Sequence, residues 1–193
     1  TEKLDFASYT QHKPDFDTYY RTIMSRPNKP AFSEDRFRVQ GDNKRTKDYS
    51  YENTRRGLWH STMAGGVANI WGNMIKPDGS SGWDENGSNP YPNQNEIKTY
   101  STFFSSRFKK NMTPGKNSFN CYILKDLENK YFVFYKENTT EVQINNVAIK
   151  SPFSGIAIDT RKLYKEIHIE ISDANRMNWN APYSSDWAIA LGF

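Results

Sequence analysis

The 193-residue sequence has little cysteine, no long apolar run and little excess of either charge. Its single cysteine, Cys121, excludes an internal disulfide, and its apolar neighbours predict a buried free thiol. The longest apolar runs, such as residues 131–135, fall far short of the roughly 18 residues that a membrane-spanning helix needs. We therefore expect no transmembrane helix, and cysteine usage leaves the compartment open.

The 26 basic residues exceed the 22 acidic residues by only four, and they are scattered along the chain. A surplus this small does not predict a nucleic-acid-binding face. The sequence also lacks a Gly-rich phosphate loop after a strand, a CxxC pair and a GxSxG nucleophile elbow. Nucleotide and thiol chemistry are disfavoured, and no cofactor is expected.

What the sequence does contain is 36% hydrophobic and 15% aromatic residues, which is typical of a folded domain. Apolar residues recur with helical spacing after Asp15, a residue that can cap a helix. A second helix is predicted over residues 51–63, with Asp48 or Ser50 as its cap. Gly65 and Gly66 can terminate this helix. Trp59 and His60 lie within it, and we expect them to pack in the core.

Short strands are predicted at residues 4–9, 30–33 and 67–71, and a third helix near residues 97–108. Pro114 and Gly115 are predicted to close that last helix. Three successive strand-then-helix units indicate parallel strands covered by helices.

After residue 117 the apolar period changes from about 3.6 to 2, and basic residues no longer exceed acidic ones. The change predicts two domains, residues 1–117 and 118–193, the second a small antiparallel β-sandwich. Among its strands, Ile alternates with His168, which we expect at the solvated surface. The six predicted sandwich strands are residues 119–124, 131–135, 141–144, 155–159, 166–171 and 187–191.

Three βα units cannot close an eight-stranded barrel, which needs roughly 200 to 250 residues. They fit the last three units of a (β/α)8 barrel whose earlier strands lie on polypeptide outside this sequence. The predicted fold class is therefore α/β plus all-β, the C-terminal part of a barrel followed by the sandwich.

A charged stretch follows the second predicted strand and includes Glu34, Arg36 and Arg38. A carboxylate at the carboxyl end of a barrel strand points into the mouth where such enzymes build their sites. Nearby arginines lower its pKa and keep it ionised, as the nucleophile of a glycosidase must be. The alternative is a surface ion-pair cluster in a loop.

Other residues could support a sugar site. Trp71 and Trp83 can each offer an aromatic face to a sugar ring, although Trp71 is equally suited to a core. His12 can donate a hydrogen bond at the mouth, unless it is structural. The guanidinium groups of Arg36 and Arg38 match a carboxylate or sulfate on the substrate, and they are equally suited to hold Glu34 and Asp35.

Residues 78–87 form a loop with oxygen ligands suitable for calcium. The loop lacks the regular 1-3-5 spacing with a distal Glu, so no metal site is predicted.

One segment resembles a known family. Arg55 and Arg56 open a helix that contains Trp59 and ends in Ala-Gly-Gly, and a strand with Trp71 and Gly72 follows. This pattern resembles the closing part of bacterial polysaccharide-degrading glycoside hydrolases, the apiosidase-like group with a barrel and a C-terminal collagen-binding-type β-sandwich. Residues 158–161 and 179–187 resemble the closing strands of that sandwich, so the resemblance spans residues 4–193.

The resemblance implies that Glu34 is the catalytic carboxylate on strand seven and that Trp71 faces the sugar after strand eight. The general acid of such barrels comes from strand four, so the remaining N-terminal part of the barrel becomes an expected partner. A polysaccharide or oligosaccharide substrate and a secreted or periplasmic location are also implied. The alternative is a non-catalytic carbohydrate-binding or structural module in which Glu34 only braces arginines.

Overall fold

A computed structural model describes residues 5–9, 15–33, 50–69, 94–117, 119–144, 153–171 and 177–193. The chain divides into two compact units, Thr1–Gln94 and Asn95–Phe193. Among the described helices, none combines the length and apolar character needed to cross a bilayer.

The first unit contains a three-stranded parallel sheet and two helices. In chain order its elements are β1 (Ala7–Tyr9), α1 (Phe16–Met24), β2 (Ala31–Ser33), α2 (Tyr51–Met63) and β3 (Ala68–Asn69). The strands are adjacent in the order β1-β2-β3, and both pairings are parallel. The predicted parallel arrangement of these strands is therefore confirmed.

Local signals determine the helix ends in this unit. The carboxylate of Asp15 accepts a hydrogen bond from the backbone N–H of Thr18 at 3.3 Å, which caps α1. Ser50, one of the two predicted caps, caps α2, because its hydroxyl oxygen accepts from the N–H of Asn53 at 3.1 Å. The other, Asp48, lies outside the described residues. Gly65 has φ 97, the left-handed conformation that ends a helix without steric cost.

The two faces of the parallel sheet differ in burial. Right-handed crossovers place both helices on one face. Ala31 and Ser33 belong to that helix-covered face, where both side chains are buried. The opposite face, here called the open face, carries Phe6 and Phe32, whose ring centroids are 5.0 Å apart. Phe6 is 48% exposed and Phe32 is half-buried, so the open face is an apolar surface in partial contact with solvent.

Helix α2 is buried along almost its whole length. Trp59 is 0% exposed and His60 is 1% exposed, which confirms that both lie in the core. Arg55 of the same helix is also buried.

The second unit contains a six-stranded antiparallel sheet. Helix α3 (Gln94–Arg107) precedes β4 (Thr113–Lys116), β5 (Tyr122–Lys125), β6 (Phe132–Ile144), β7 (Phe153–Asp159), β8 (Ile167–Ile171) and β9 (Met177–Leu191). The strand order is β4-β5-β6-β9-β7-β8. His168 is exposed beside buried Ile169, as the alternation predicts.

The described hydrogen bonds form one sheet rather than the two sheets of the expected sandwich. Trp179 and Trp187 both lie in β9, yet their ring centroids are only 5.0 Å apart. A straight strand would separate these residues by roughly 26 Å, at about 3.3 Å per residue. Strand β9 therefore bends sharply between the two tryptophans, in the segment where its pairing with β6 shifts register, and the bent sheet surrounds the core.

The core of this unit is formed by both halves of the bent strands. It consists of Cys121, Phe132, Phe134, Val142, Ile144, Ala157, Ile169, Trp179, Trp187, Ile189 and Leu191. Cys121 is a buried free thiol, as expected, and burial raises its pKa to about 12.

Each strand predicted for this unit changes at one end or both, and the largest extension is in β9, which begins at Met177 where the predicted strand begins at residue 187. The predicted strands 131–135 and 141–144 merge into the single strand β6, which begins at Phe132 and continues through Asn138 at φ 47. Pro114 and Gly115 lie in β4 rather than closing a helix. Strand β5 begins only at Tyr122, because the side-chain oxygen of Asn117 accepts from the N–H groups of Phe119 and Cys121 and holds a turn there.

Helix α3 makes hydrogen bonds to the loop before β8. The hydroxyl of Thr99 donates to the carbonyl of Lys162 at 2.6 Å, and Arg107 pairs with Glu166 at 2.7 Å. The boundary between the two compact units lies between residues 94 and 95 of the chain. The predicted domain boundary at residue 117 lies after the last βα unit of a barrel, whereas the boundary between compact units depends on contacts within the chain. The domain boundary at residue 117 stays a prediction.

Candidate active site

The carboxyl ends of the three parallel strands lie side by side. Tyr9, Ser33 and Asn69 are the last residues of β1, β2 and β3, and they pair with one another in register. Adjacent strands are about 4.8 Å apart, so the three ends form one edge, here called the carboxyl edge. In parallel βα folds, active sites are built at this edge from the segments that follow the strands.

The carboxyl edge is anchored to helix α2. The hydroxyl of Ser61 donates to the side-chain carbonyl oxygen of Asn69 at 2.5 Å, and Ser61 is fully buried. Ser33, the register partner of Asn69, is also fully buried. Packing holds Ser33 and a side-chain hydrogen bond holds Asn69. The chain segments that follow β2 and β3 therefore start from rigidly held strand ends. No local sequence pattern predicts this Ser61–Asn69 hydrogen bond, because it joins residues of two different elements.

Asp15 lies at the start of α1. The hydrogen bond from the Thr18 side chain is the largest cause that holds the pKa of this carboxyl below its ordinary value, and the charge of His60 lowers it further. The carboxylate accepts from both the hydroxyl and the N–H of Thr18. Asp15 therefore acts as a helix cap.

The candidate residues follow these strand ends in sequence. Glu34 is the residue after Ser33, His12 lies three positions after Tyr9, and Trp71 lies two positions after Asn69. All six predicted site residues lie outside the described part of the chain: His12, Glu34, Arg36, Arg38, Trp71 and Trp83. The structure thus describes the strand ends that lead to three of them, and their roles stay predictions. The loop at residues 78–87 also lies outside it.

In the second unit, Asp159 is a buried carboxylate that serves the fold. Its Oδ1 accepts from the Ser185 hydroxyl at 2.8 Å and from the Arg161 N–H at 2.9 Å. Its Oδ2 accepts from the Tyr183 hydroxyl at 3.0 Å. The Arg161 donor follows β7, whereas Tyr183 and Ser185 lie in β9. Asp159 therefore links the end of β7 to the bent segment of β9.

A second charged cluster joins Arg107, Tyr164 and Glu166. The Tyr164 hydroxyl is the largest cause that lowers the pKa of Glu166, with further lowering by Arg107. Burial is the largest cause that raises the pKa of Tyr164. The guanidinium also contacts the ring of Phe103 at 5.4 Å, so the cluster fixes the last turn of α3 to the loop before β8. Within the described ranges, no group of three or more His, Cys, Asp or Glu side chains is placed to hold a metal ion.

The sequence matches no protein-family model and no curated protein. Its fold, however, is similar to solved glycoside hydrolases. A glycoside hydrolase of family 5 from Bacteroides vulgatus aligns with 98% of this chain at a TM-score of 0.72 and 14% identity. A structure described as a glycoside hydrolase aligns with 97% at a TM-score of 0.68 and 13% identity. A family 30 endoxylanase from Clostridium papyrosolvens aligns with 99% at a TM-score of 0.57 and 12% identity.

The alignments cover 50%, 52% and 49% of those three proteins. The chain therefore spans about half the length of the structures it resembles. At these identities the similarity shows the fold alone, which resembles about half of each of these glycoside hydrolases.

Proposed function

We propose that this chain is the C-terminal portion of a glycoside hydrolase that cleaves glycosidic bonds of a complex polysaccharide, with Glu34 as a catalytic carboxylate. The observation that carries the proposal is that β2, whose last residue directly precedes Glu34 in sequence, ends at the carboxyl edge of a parallel sheet in a glycoside hydrolase-like fold. Fold similarity alone supports many functions, so the proposal depends on this residue.

The sequence position of Glu34 supports this role. Active-site residues of (β/α)8 barrels lie on the segments that follow the strands, and Glu34 is the first residue after Ser33, the last residue of β2.

Charge supports an ionised Glu34. Arg36 and Arg38 follow it in sequence, and neighbouring positive charge lowers the pKa of a carboxyl group. An ionised carboxylate suits the nucleophile or base of a glycosidase, whereas the partner carboxyl must carry a proton. We assign that general acid to the part of the barrel outside this chain.

Four further residues are proposed to contact substrate. Arg36 and Arg38 suit an anionic substituent such as a carboxylate or sulfate, and His12 suits a sugar hydroxyl. Trp83 can stack on a sugar ring.

Trp71 is the fifth residue proposed to contact substrate. It follows the end of β3 by two residues in sequence and can offer an aromatic face to a sugar ring.

The proposed partner is the remaining N-terminal part of the barrel, which would supply neighbouring strands and cover the open face. Parallel sheets are normally covered on both faces. The open face of this sheet is not fully covered, because its Phe6 side chain is 48% exposed. The apiosidase-like grouping, a collagen-binding-type sandwich over residues 118–193 and secretion to the periplasm or medium are parts of the same proposal.

The test is the variant Glu34→Gln in the enzyme completed with the remaining barrel. The substitution keeps the size of the side chain and removes its charge, so turnover should fall by several orders of magnitude with little change in Tm. Asp35→Asn, a loss of charge at the next residue, is the matched control and should retain most of the turnover.

Two other results would be informative. If Glu34 only braces arginines, Glu34→Gln would lower Tm and leave turnover within about tenfold, and the catalytic assignment would fail. If the completed wild-type protein binds oligosaccharide in calorimetry without cleaving it, the non-catalytic binding function would replace the proposal.

A further inference from the structure

We draw no further inference here: the strongest candidate, the half-exposed Phe6 and Phe32 face of the three-stranded sheet, belongs to the barrel completion already proposed, and nothing in the structure shows what else covers it.

Discussion

Gly155 illustrates how closely the backbones approach in the bent sheet. It lies in β7, between Ile169 of β8 and Leu191 of β9. A Cβ atom at this position would lie 2.4 Å from the Leu191 side chain and 2.7 Å from the backbone oxygen of Ala190. Because a backbone oxygen cannot move aside as a side chain can, the position requires glycine.

We predict that Gly155→Ala lowers the free energy of unfolding by about 1 to 3 kcal/mol, the usual cost of overpacking a core. Gly115→Ala is the matched control, because a Cβ at Gly115 would meet no atom within 4 Å. The control should change stability by no more than about 0.5 kcal/mol. Urea denaturation of both variants checks the prediction, and equal destabilisation would contradict it.

At the scale of the element, helix α1 depends on its first residues. It has nine residues, shorter than a helix that is stable in isolation, so its cap and its packing must both contribute. Phe16, Tyr19 and Ile23 form its buried stripe, and the Asp15 carboxylate accepts from the backbone N–H of Thr18 in its first turn.

We predict that Asp15→Ala destabilises the protein by about 1 kcal/mol at pH 7, the typical cost of losing a cap. Because the folded-state pKa of Asp15 is lowered from 3.8, its contribution is present above that value. It is lost as the pH falls through the lower folded-state pKa. The difference in Tm between wild type and variant should therefore shrink in acid.

Asp15→Asn is the control for this experiment, since Asn also caps helices but does not titrate. Its Tm at pH 7 should lie close to that of wild type. Thermal melts of the three proteins between pH 2 and pH 7 measure these Tm values. If the Tm difference between wild type and Asp15→Ala stayed constant across this range, the ionised Asp15 cap would not contribute as predicted. 

Strand β9 shows an element whose length depends on distant pairing. Its first half pairs with residues 141–144 and its second half with residues 132–136 of β6. The register shifts between Lys136 and Glu141, and this irregularity coincides with the bend between Trp179 and Trp187. Bulges of this kind bend strands and increase their twist, which allows one sheet to enclose a core.

At the scale of the whole molecule, the proposed chemistry belongs to one unit only. The candidate residues follow strands of the first unit, whereas the described carboxylates Asp159 and Glu166 of the second unit hold elements together. We interpret the second unit as a support rather than a catalytic domain.

We predict that residues 118–193, and equally the longer compact unit 95–193, hydrolyse no glycoside. Two carboxylates described there, Asp159 and Glu166, are engaged in structural hydrogen bonds and an ion pair. Turnover assays on fragments whose folding is verified by circular dichroism check this. Glycosidase activity in either folded fragment would overturn the assignment of the domains.

A second prediction concerns association through the open face. Phe32→Asp should weaken binding of the chain to the remaining barrel by at least about tenfold, because a charge replaces a buried aromatic contact. Tyr20→Asp, the same change at a 36% exposed aromatic on α1, should leave binding nearly unchanged. Size-exclusion chromatography with titration measures both, and equal binding by both variants would exclude this face.

For the candidate site, the sequence predicts the carboxyl edge of the parallel sheet but not the side-chain contacts that hold this edge in place. The alternation of strands and helices was sufficient to predict parallel strands, and parallel strands place their carboxyl ends together. The Ser61–Asn69 hydrogen bond joins residues on different elements, so no local pattern reveals it. The role of Glu34 stays a prediction that the variant must test.

The sequence by itself determined the helices of the first unit. Helix α2 spans Tyr51–Met63 as predicted, because its period, the Ser50 cap and the terminal glycine act within a few residues of the chain. Only the tertiary structure decided the strands of the second unit. Asn138 and Pro182 are typical of turns, yet β6 and β9 run through them. Strand continuity depends on hydrogen bonds to a partner far along the chain, and local propensity does not contain that information.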